Sequence, residues 1–162
     1  MVMENCFKVG LYKQGLLHDL SKYSWEEFKI GVKYYQGDRS PNAAEKEEKG
    51  YSVAWLHHKG RNKHHFEYWI DFAPNKADGL IGNEMPLKYL VEMVRIAASK
   101  VYKRDEYTDA CPWEYYNRGM DYMVMHKKTR VQLEKLLLML KDEGEEKTFD
   151  YIRKLLRHRK RK

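Results

Sequence analysis

The stretch PLKYLVEMVRIAASKVY, residues 86–102, has the most regular helical pattern in the chain. Its apolar side chains recur at close to the 3.6 residues of a helical turn, and they are Leu87, Leu90, Val91, Val94, Ala98, Val101 and Tyr102. Pro86 stands at the start, where proline is compatible with the first turn of a helix. We predict that this segment is the central helix of the core and that the other elements pack around it.

Helical signals continue on both sides of this segment, and no segment carries a convincing strand signal. The chain lacks a sustained alternation of β-branched residues and an Asn-Gly hairpin signal, so we expect an all-α fold. Ser24 and Glu27 fit a capping box, in which the glutamate reaches back to the start of the helix. The helix that they open is expected to bury four apolar residues, Trp25, Phe28, Val32 and Tyr35.

Glycines and threonines suggest where further helices begin and end. We expect a helix over residues 51–58 that stops at Gly60, and a return to helix over residues 64–71. Thr129 is expected to cap a long amphipathic helix that ends at Gly144.

The net charge of +7 is concentrated at one end of the 162-residue chain. Residues 153–162 hold seven Lys and Arg and no acid, so residues 1–152 are formally neutral. A chain of this length most naturally forms one domain. We therefore expect an all-α domain at residues 1–152, followed by a basic helix end at residues 153–162. That end is either a weak, nonspecific nucleic-acid binder or a solubilising extension.

The two cysteines, Cys6 and Cys111, are far apart and lack CxxC spacing, which favours reduced thiols in a cytoplasmic protein over a disulfide. No apolar run approaches the roughly 18–20 residues that a membrane helix needs. The N-terminal residues also lack the pattern of a signal peptide. We expect a cytoplasmic protein with no membrane partner; the sequence leaves its oligomeric state open.

Five of the seven histidines lie in two short stretches, LHDLSK at residues 17–22 and HHKGRNKHH at residues 57–65. Imidazole is the commonest metal ligand in proteins, and His18 followed by Asp19 offers a nitrogen and an oxygen to one ion. Adjacent helical side chains diverge by about 100°. We therefore expect one histidine of each neighbouring pair to bind a given ion and the other to contact substrate or a second metal. The alternative is a solvated helix end with a structural role.

Basic side chains surround the histidines and favour an anionic, phosphate-bearing substrate. They are Lys22, Lys59, Arg61 and Lys63, with Asn62 as a further donor, and the planar guanidinium of Arg61 matches phosphate best. A mixed nitrogen and oxygen donor set suits Zn, Mn, Fe or Ni. Such an ion lowers the pKa of bound water to about 7. These features together favour a site that binds a metal ion or phosphate, and such a site would suit an enzyme that hydrolyses a phosphate ester, such as a nucleotide.

Two strings resemble the DUF5662 family of uncharacterised bacterial and phage proteins: GLLHDLSKYS at residues 15–24 and GYSVAWLHHKGRNKHHFEYWID at residues 50–71. Shorter matches, GDRSP at 37–41, MPLKY at 85–89 and YTDACP at 107–112, extend the resemblance over most of residues 2–140. The string HDLSK also resembles the H-D-x-x-K signature of HD-domain metal-dependent phosphohydrolases, which are all-α proteins. The resemblance therefore implies an HD-like helical bundle.

This resemblance implies that His18 and Asp19 are the central metal pair, that Lys22 is the lysine beside it, and that the histidines at 57, 58, 64 and 65 take the place of extra ligands. Together with the residue chemistry above, it gives the expected metal ligands His18, Asp19, His57, His64 and Glu92, and the expected catalytic groups Lys22, Arg61, His58 and His65. Relatives carry a Lys-His ahead of the segment beginning at Val2, and an aspartate in E-M-x-x-D-R-I-A-A-S-K. This chain reads EMVRIAASK at residues 92–100, so Glu92 is the nearest carboxylate and the stand-in. The resemblance leaves open a hydrolase impaired by missing ligands, a non-catalytic ligand-binding relative, or an accessory protein that binds nucleic acid.

Overall fold

The computed structural model describes residues 2–18, 20–37, 39–93 and 104–160, and these are mostly helical, which confirms the expected helical character. The helices are α1 (Val2–Lys8), α2 (Tyr12–Leu17), α3 (Trp25–Lys33), α4 (Pro41–Lys49), α5 (Val53–Arg61), α6 (Leu87–Met93), α7 (Cys111–Asn117) and α8 (Lys127–Lys160). Short 3₁₀ turns lie at Leu20–Tyr23, Phe66–Trp69, Lys76–Asp78, Arg104–Glu106 and Met120–Tyr122. Among the described residues, no helix is both long and apolar enough to span a membrane.

A two-stranded antiparallel sheet corrects the expectation of a fold without strands. Strand β1 (Ile70–Phe72) pairs with β2 (Leu80–Gly82), with Ile70 opposite Gly82. The helix expected over residues 64–71 is also wrong, because the 3₁₀ turn at Phe66–Trp69 leads directly into β1. Strands of three residues are too short to show the alternation by which strands are recognised in a sequence.

The main core forms around α6, as predicted. Leu87, Leu90 and Val91 are buried, and α6 packs against α1 and α8. The buried members of this cluster are Cys6, Val9, Leu11, Met85, Leu87, Leu90, Val91, Met93, Tyr116, Leu133, Leu136, Leu137, Leu140, Phe149 and Ile152. The predicted core positions Val94, Ala98, Val101 and Tyr102 lie outside the described residues.

Helix α8 is divided at Gly144, which has φ 84° and ψ 174°, so the predicted break is confirmed. The predicted cap at Thr129 is wrong, because the helix begins at Lys127. The Thr129 hydroxyl instead accepts a hydrogen bond from the backbone N–H of Met85, at 3.0 Å. This bond ties the first turn of α8 to the segment that leads into α6.

A second, smaller cluster forms where α3 packs against α4 and α5. Its buried apolar residues are Ile30, Tyr34, Ala44 and Ala54. Glu45 is also buried, and its carboxylate accepts hydrogen bonds from Ser52 Oγ at 2.8 Å and Lys49 Nζ at 3.1 Å. The end of α4 is therefore joined to the start of α5 through one buried charge.

Helix α3 faces the opposite way from the sequence-based expectation. The four residues expected to be buried are exposed: Trp25 by 69%, Phe28 by 52%, Val32 by 65% and Tyr35 by 77%. The inward side chains are Glu27, Ile30 and Tyr34, which also follow a helical spacing. Burial of the charged Glu27 is tolerated because it meets hydrogen-bond donors inside.

Helix α5 is longer than predicted. Ser52 caps it by accepting a hydrogen bond from the N–H of Trp55, and the helix runs through Gly60 to Arg61. The expected stop at Gly60 is wrong, since a single glycine inside a helix costs only about 0.5–1 kcal/mol relative to alanine. As a result, His57, His58 and Arg61 are carried by one rigid helix.

Candidate metal centre

Three segments of the chain bring candidate metal ligands together. His18 follows α2, His64 lies in the turn after α5, and Glu92 lies on α6. Nδ1 of His18 is 2.8 Å from Oε1 of Glu92, and Nδ1 of His64 is 3.2 Å from the same oxygen. The two imidazole rings lie 4.5 Å apart between centroids. One candidate ligand atom from each of the three residues falls within 4.8 Å of the others.

These separations fit the coordination sphere of a small divalent ion. Metal–ligand bonds of about 2.0–2.2 Å put neighbouring ligand atoms about 2.8–3.6 Å apart, depending on octahedral or tetrahedral geometry. Both separations from Glu92 Oε1 fall in that range. Two imidazoles and a carboxylate are donors that suit Zn, Mn, Fe or Ni. His18, His64 and Glu92 therefore fit a transition-metal ion.

Glu92 provides a negative charge at this position. Burial raises the pKa of its carboxyl, but hydrogen bonds from Nδ1 of His18 and Nδ1 of His64, which coordination of an ion by these nitrogens would replace, and electrostatic attraction to their rings outweigh burial and lower the pKa to about 2. Burial, with the nearby Glu92 charge, also raises the pKa of the Cys6 thiol to about 11. Cys6 therefore remains a protonated thiol near neutral pH, which agrees with a site built from nitrogen and oxygen donors.

A second group of candidate ligands, His58, His64 and His65, lies next to the first and shares His64 with it. Ring centroids are 4.4 Å apart for His64 and His65 and 4.9 Å apart for His58 and His65. The expectation that His64 and His65 diverge is wrong, because they lie in a turn rather than in a helix. The helical argument does hold on α5, where His58 belongs to the group and His57 does not.

A buried glutamate from α3 orients the histidines of α5. Oε1 of Glu27 is 2.7 Å from Nδ1 of His57, and Oε2 is 2.8 Å from Nδ1 of His58. Burial raises the pKa of Glu27, but hydrogen bonds from His57, Ser21 and His58 lower it below its ordinary value. An ionised carboxylate accepts from Nδ1–H, so each ring carries its lone pair on Nε2, the arrangement usual for metal-binding histidines.

The capping-box interpretation of Glu27 is only half right. Its backbone N–H donates to Ser24 Oγ as expected, at 3.4 Å, but its carboxylate reaches α5 instead of returning to Ser24. Sequence reasoning thus missed Glu27 as part of the site. The available signal was its spacing with Ile30 and Tyr34, which places a carboxylate on the inward face of α3.

Of the other predicted residues, His57 has both ring nitrogens engaged. Its Nε2 accepts a hydrogen bond from Nε of Arg61 at 2.6 Å, and its Nδ1 faces Glu27. The described geometry gives no support to a metal-binding role for His57. Arg61 and Lys22 are exposed, as phosphate-binding groups need to be, and Asp19 lies outside the described residues.

Asn62, predicted as a donor to an anion, is instead used within the protein. Its Nδ2 donates to Ser21 Oγ at 2.7 Å and to the carbonyl of His58 at 2.8 Å. Ser21 Oγ in turn lies 3.1 Å from Nδ1 of His58. Gln14 supports Glu92 in the same way, because its Nε2 donates a hydrogen bond to Glu92 Oε2 at 3.4 Å. Ser21 occupies a variable position of the H-D-x-x-K signature and no motif marks Gln14, so sequence reasoning missed both.

A comparison with protein families finds that a model described as "Family of unknown function (DUF5662)" matches residues 1–139. The chain belongs to the DUF5662 family. Searches of curated proteins and of solved structures find no match. The DUF5662 match includes every residue of the candidate centre and ends before Gly144 and the basic residues 153–162.

Proposed function

We propose that this DUF5662 protein is a metal-dependent phosphohydrolase with an HD-like helical architecture, acting on a phosphate ester or a nucleotide. The convergence of His18, His64 and Glu92 from three separate segments supports the proposal most strongly. The carboxylate of Glu27 lies 2.8 Å from Nδ1 of His58 and so holds this histidine in place beside the centre. The resemblance of HDLSK to the H-D-x-x-K signature favours phosphate chemistry.

Different side chains have different roles in the proposed reaction. Arg61 and Lys22, both exposed, bind the phosphate oxygens of the substrate. His65 or His58, in its protonated form, donates a proton to the leaving oxygen as the bond between phosphorus and that oxygen breaks. The oxygen of water joins phosphorus, and that water gives up a proton to solvent. A bound ion supplies Lewis acidity at the phosphoryl group and acidifies water. The ligands for it are His18, His64 and Glu92, with Asp19 as the further ligand that the resemblance implies.

The first test measures metal in protein prepared without a histidine tag. Elemental analysis of the wild type is expected to find a stoichiometric transition metal, and His18→Ala is expected to lose it. His126→Ala is the matched control, since His126 lies outside both candidate groups and its Nδ1 accepts from the N–H of Lys128. If metal is absent from the wild type, or is retained by His18→Ala, this centre is not the metal site.

The second test measures hydrolysis of p-nitrophenyl phosphate and of nucleoside phosphates before and after chelation. Activity is expected to be lost with chelator, to return with Zn, Mn, Fe or Ni, and to be absent in His18→Ala. Activity that survives both chelation and His18→Ala contradicts the proposal. Metal binding without turnover of any phosphate ester would instead identify a non-catalytic ligand-binding relative.

Nucleic-acid binding is a second candidate, because the basic residues continue α8 as far as Lys160. Arg153 Nη1 donates to the carbonyl of Lys8 at 2.8 Å, and Leu155 and Leu156 pack against the main core. Lys154 and Arg157 remain exposed. Binding to labelled single-stranded DNA is expected to fall steeply with salt and to disappear on deletion of residues 157–162. If the wild type does not bind at low salt, this candidate is excluded.

A further inference from the structure

The outer face of α3 is an exposed apolar surface, which we call the α3 stripe and define as Trp25, Phe28, Val32 and Tyr35. Trp25, Phe28 and Val32 lie on the helix and Tyr35 follows its end. Each is more than half exposed, and the neighbouring Tyr23 is 83% exposed. Such a concentration of exposed aromatic residues is unusual on a monomer and typically marks a binding surface.

The area of this surface is that of one side of a modest protein interface. Fully burying one large aromatic side chain removes about 150–250 Å² from water. At the observed exposures, Tyr23, Trp25, Phe28 and Tyr35 together present about 400–700 Å². A biological interface buries at least about 1,000 Å² in total, or about 500 Å² per partner, and a standard interface buries about 800 Å² per partner. The exposed aromatic area therefore matches one side of a small interface.

The spacing of the stripe favours another helix as its partner. Its helical members Trp25, Phe28 and Val32 are three and four residues apart, which is the spacing of the apolar seam between two packed helices. Gly31 stands beside the seam, and a Cβ added there would meet nothing within 4 Å. A facing helix can therefore approach α3 closely along this border.

The charges along the stripe favour a protein over a polyanion. Glu26 and Lys29 have opposite signs, and Lys33 Nζ lies 3.4 Å from Glu48 Oε1. The border therefore has no net charge, whereas anionic lipid or nucleic acid is bound by an excess of Lys and Arg. A neutral apolar seam can pack on an identical seam about a two-fold axis.

We propose that the α3 stripe binds the same stripe of a second copy of this chain, forming a two-fold symmetric dimer. The opposite face of α3 carries Glu27, which holds His57 and His58. Dimer formation therefore fixes the helix that supports the candidate centre from behind. The dimer does not depend on the proposed function, because none of the stripe residues belongs to the candidate centre.

The test is the mass of the full chain in solution, by light scattering after gel filtration and by sedimentation, at about 1–100 µM, a range that covers micromolar dissociation constants. Wild type is expected at twice the chain mass of 19.6 kDa. Phe28→Glu with Val32→Glu is expected to be monomeric and to retain its helical circular dichroism. Val131→Glu is the matched control, a 58% exposed valine on α8, and is expected to remain dimeric. A monomeric wild type overturns the proposal.

A cross-linking variant keeps the proposal testable if the double variant does not fold. Cys6 and Cys111 are buried, so an introduced surface cysteine can be oxidised selectively. Gly31→Cys is expected to form a disulfide dimer efficiently, and Lys76→Cys, exposed on a 3₁₀ turn, is expected not to. Equal cross-linking of the two variants contradicts the proposed face.

The effect of salt on binding distinguishes a second copy of the chain from other partners of the α3 stripe. Two chains of net charge +7 repel each other, so the dimer is expected to persist or strengthen as salt is raised. Binding to anionic phospholipid vesicles or single-stranded DNA would weaken instead. A monomeric wild type that binds either polyanion, and loses that binding in Phe28→Glu with Val32→Glu, assigns the stripe to the polyanion and overturns the dimer.

Discussion

Oε1 of Glu92 lies 2.8 Å from Nδ1 of His18, although 74 positions separate the two residues in the chain. Glu92 is held by the main core through α6, whereas His18 follows α2 at the surface of the same cluster. The contact therefore requires these two distant segments of the chain to be packed together. Because α6 is the most buried of the site-bearing elements, Glu92 is the fixed point toward which His18 and His64 converge.

Replacing Glu92 with glutamine should lower the affinity for metal more than it lowers the free energy of unfolding. Glutamine keeps the shape of the side chain but removes the negative charge that the low pKa of Glu92, about 2, maintains at neutral pH. We expect metal affinity to fall by at least about 10–100-fold, measured by competition with a chromogenic chelator. Glu84→Gln, an exposed glutamate outside both candidate groups, serves as the control. Equal affinities in the two variants would exclude Glu92 as part of a metal site.

Replacing Glu27 with glutamine should disorder the two histidines of α5. An amide has one accepting oxygen and one donating nitrogen, so it cannot accept Nδ1–H from both His57 and His58. We expect a loss of about 1–3 kcal/mol in the free energy of unfolding and weaker metal binding. Glu26→Gln is the neighbouring control, since Glu26 Oε2 is 4.0 Å from His57 Nε2 and its side chain is half exposed. If Glu27→Gln has the stability and the metal affinity of the wild type, Glu27 is not part of the site.

The sequence predicted the core helix from a simple pattern, because Leu87, Leu90 and Val91 repeat at helical spacing and are buried. The role of Glu92 as a metal ligand stays a prediction, which came from the resemblance to relatives with an aspartate in this segment. The convergence of Glu92 with His18 and His64 required the tertiary structure, since three different elements carry them.

The orientation of α3 was not predictable from its own pattern. The helix has one apolar stripe, through Trp25, Phe28 and Val32, and one mixed stripe, through Glu27, Ile30 and Tyr34. Hydrophobicity alone favours burying the first. The second is buried because Glu27 finds two imidazole donors on α5, a gain that depends on a contact across 30 and 31 positions of the chain.

The buried carboxylate of Glu45 should make the free energy of unfolding depend on pH. Burial raises its pKa, but hydrogen bonds from Ser52, Lys49 and the N–H of Ala54 lower it below the ordinary value. The group therefore stabilises the fold above its unfolded pKa of about 4.3, and that contribution is lost as pH falls through the lower folded pKa. Glu45→Gln should be less stable than wild type at pH 7 by about 1–3 kcal/mol, and this difference should narrow in acid.

Urea unfolding at neutral and acidic pH measures the effect of Glu45. Glu47→Gln is the control on the same helix, because Glu47 is exposed and pairs with Arg39 at the surface. Surface pairs contribute about 0–1 kcal/mol, so the control should follow the wild type at both pH values. A stability difference between Glu45→Gln and wild type that stays constant with pH would contradict the role assigned to the charge.

Two glycines should respond oppositely to alanine. A Cβ added at Gly82 would lie 2.6 Å from the backbone nitrogen of His126 and 2.7 Å from the backbone of Met125, so β2 would have to move away from the segment that leads into α8. We expect Gly82→Ala to lower the free energy of unfolding by about 1–3 kcal/mol. Gly60 lies inside α5 with open space around an added Cβ, so Gly60→Ala should raise stability by about 0.5–1 kcal/mol. Chemical unfolding of both variants checks the pair, and a loss of stability in Gly60→Ala would show that α5 does not continue through Gly60 to Arg61.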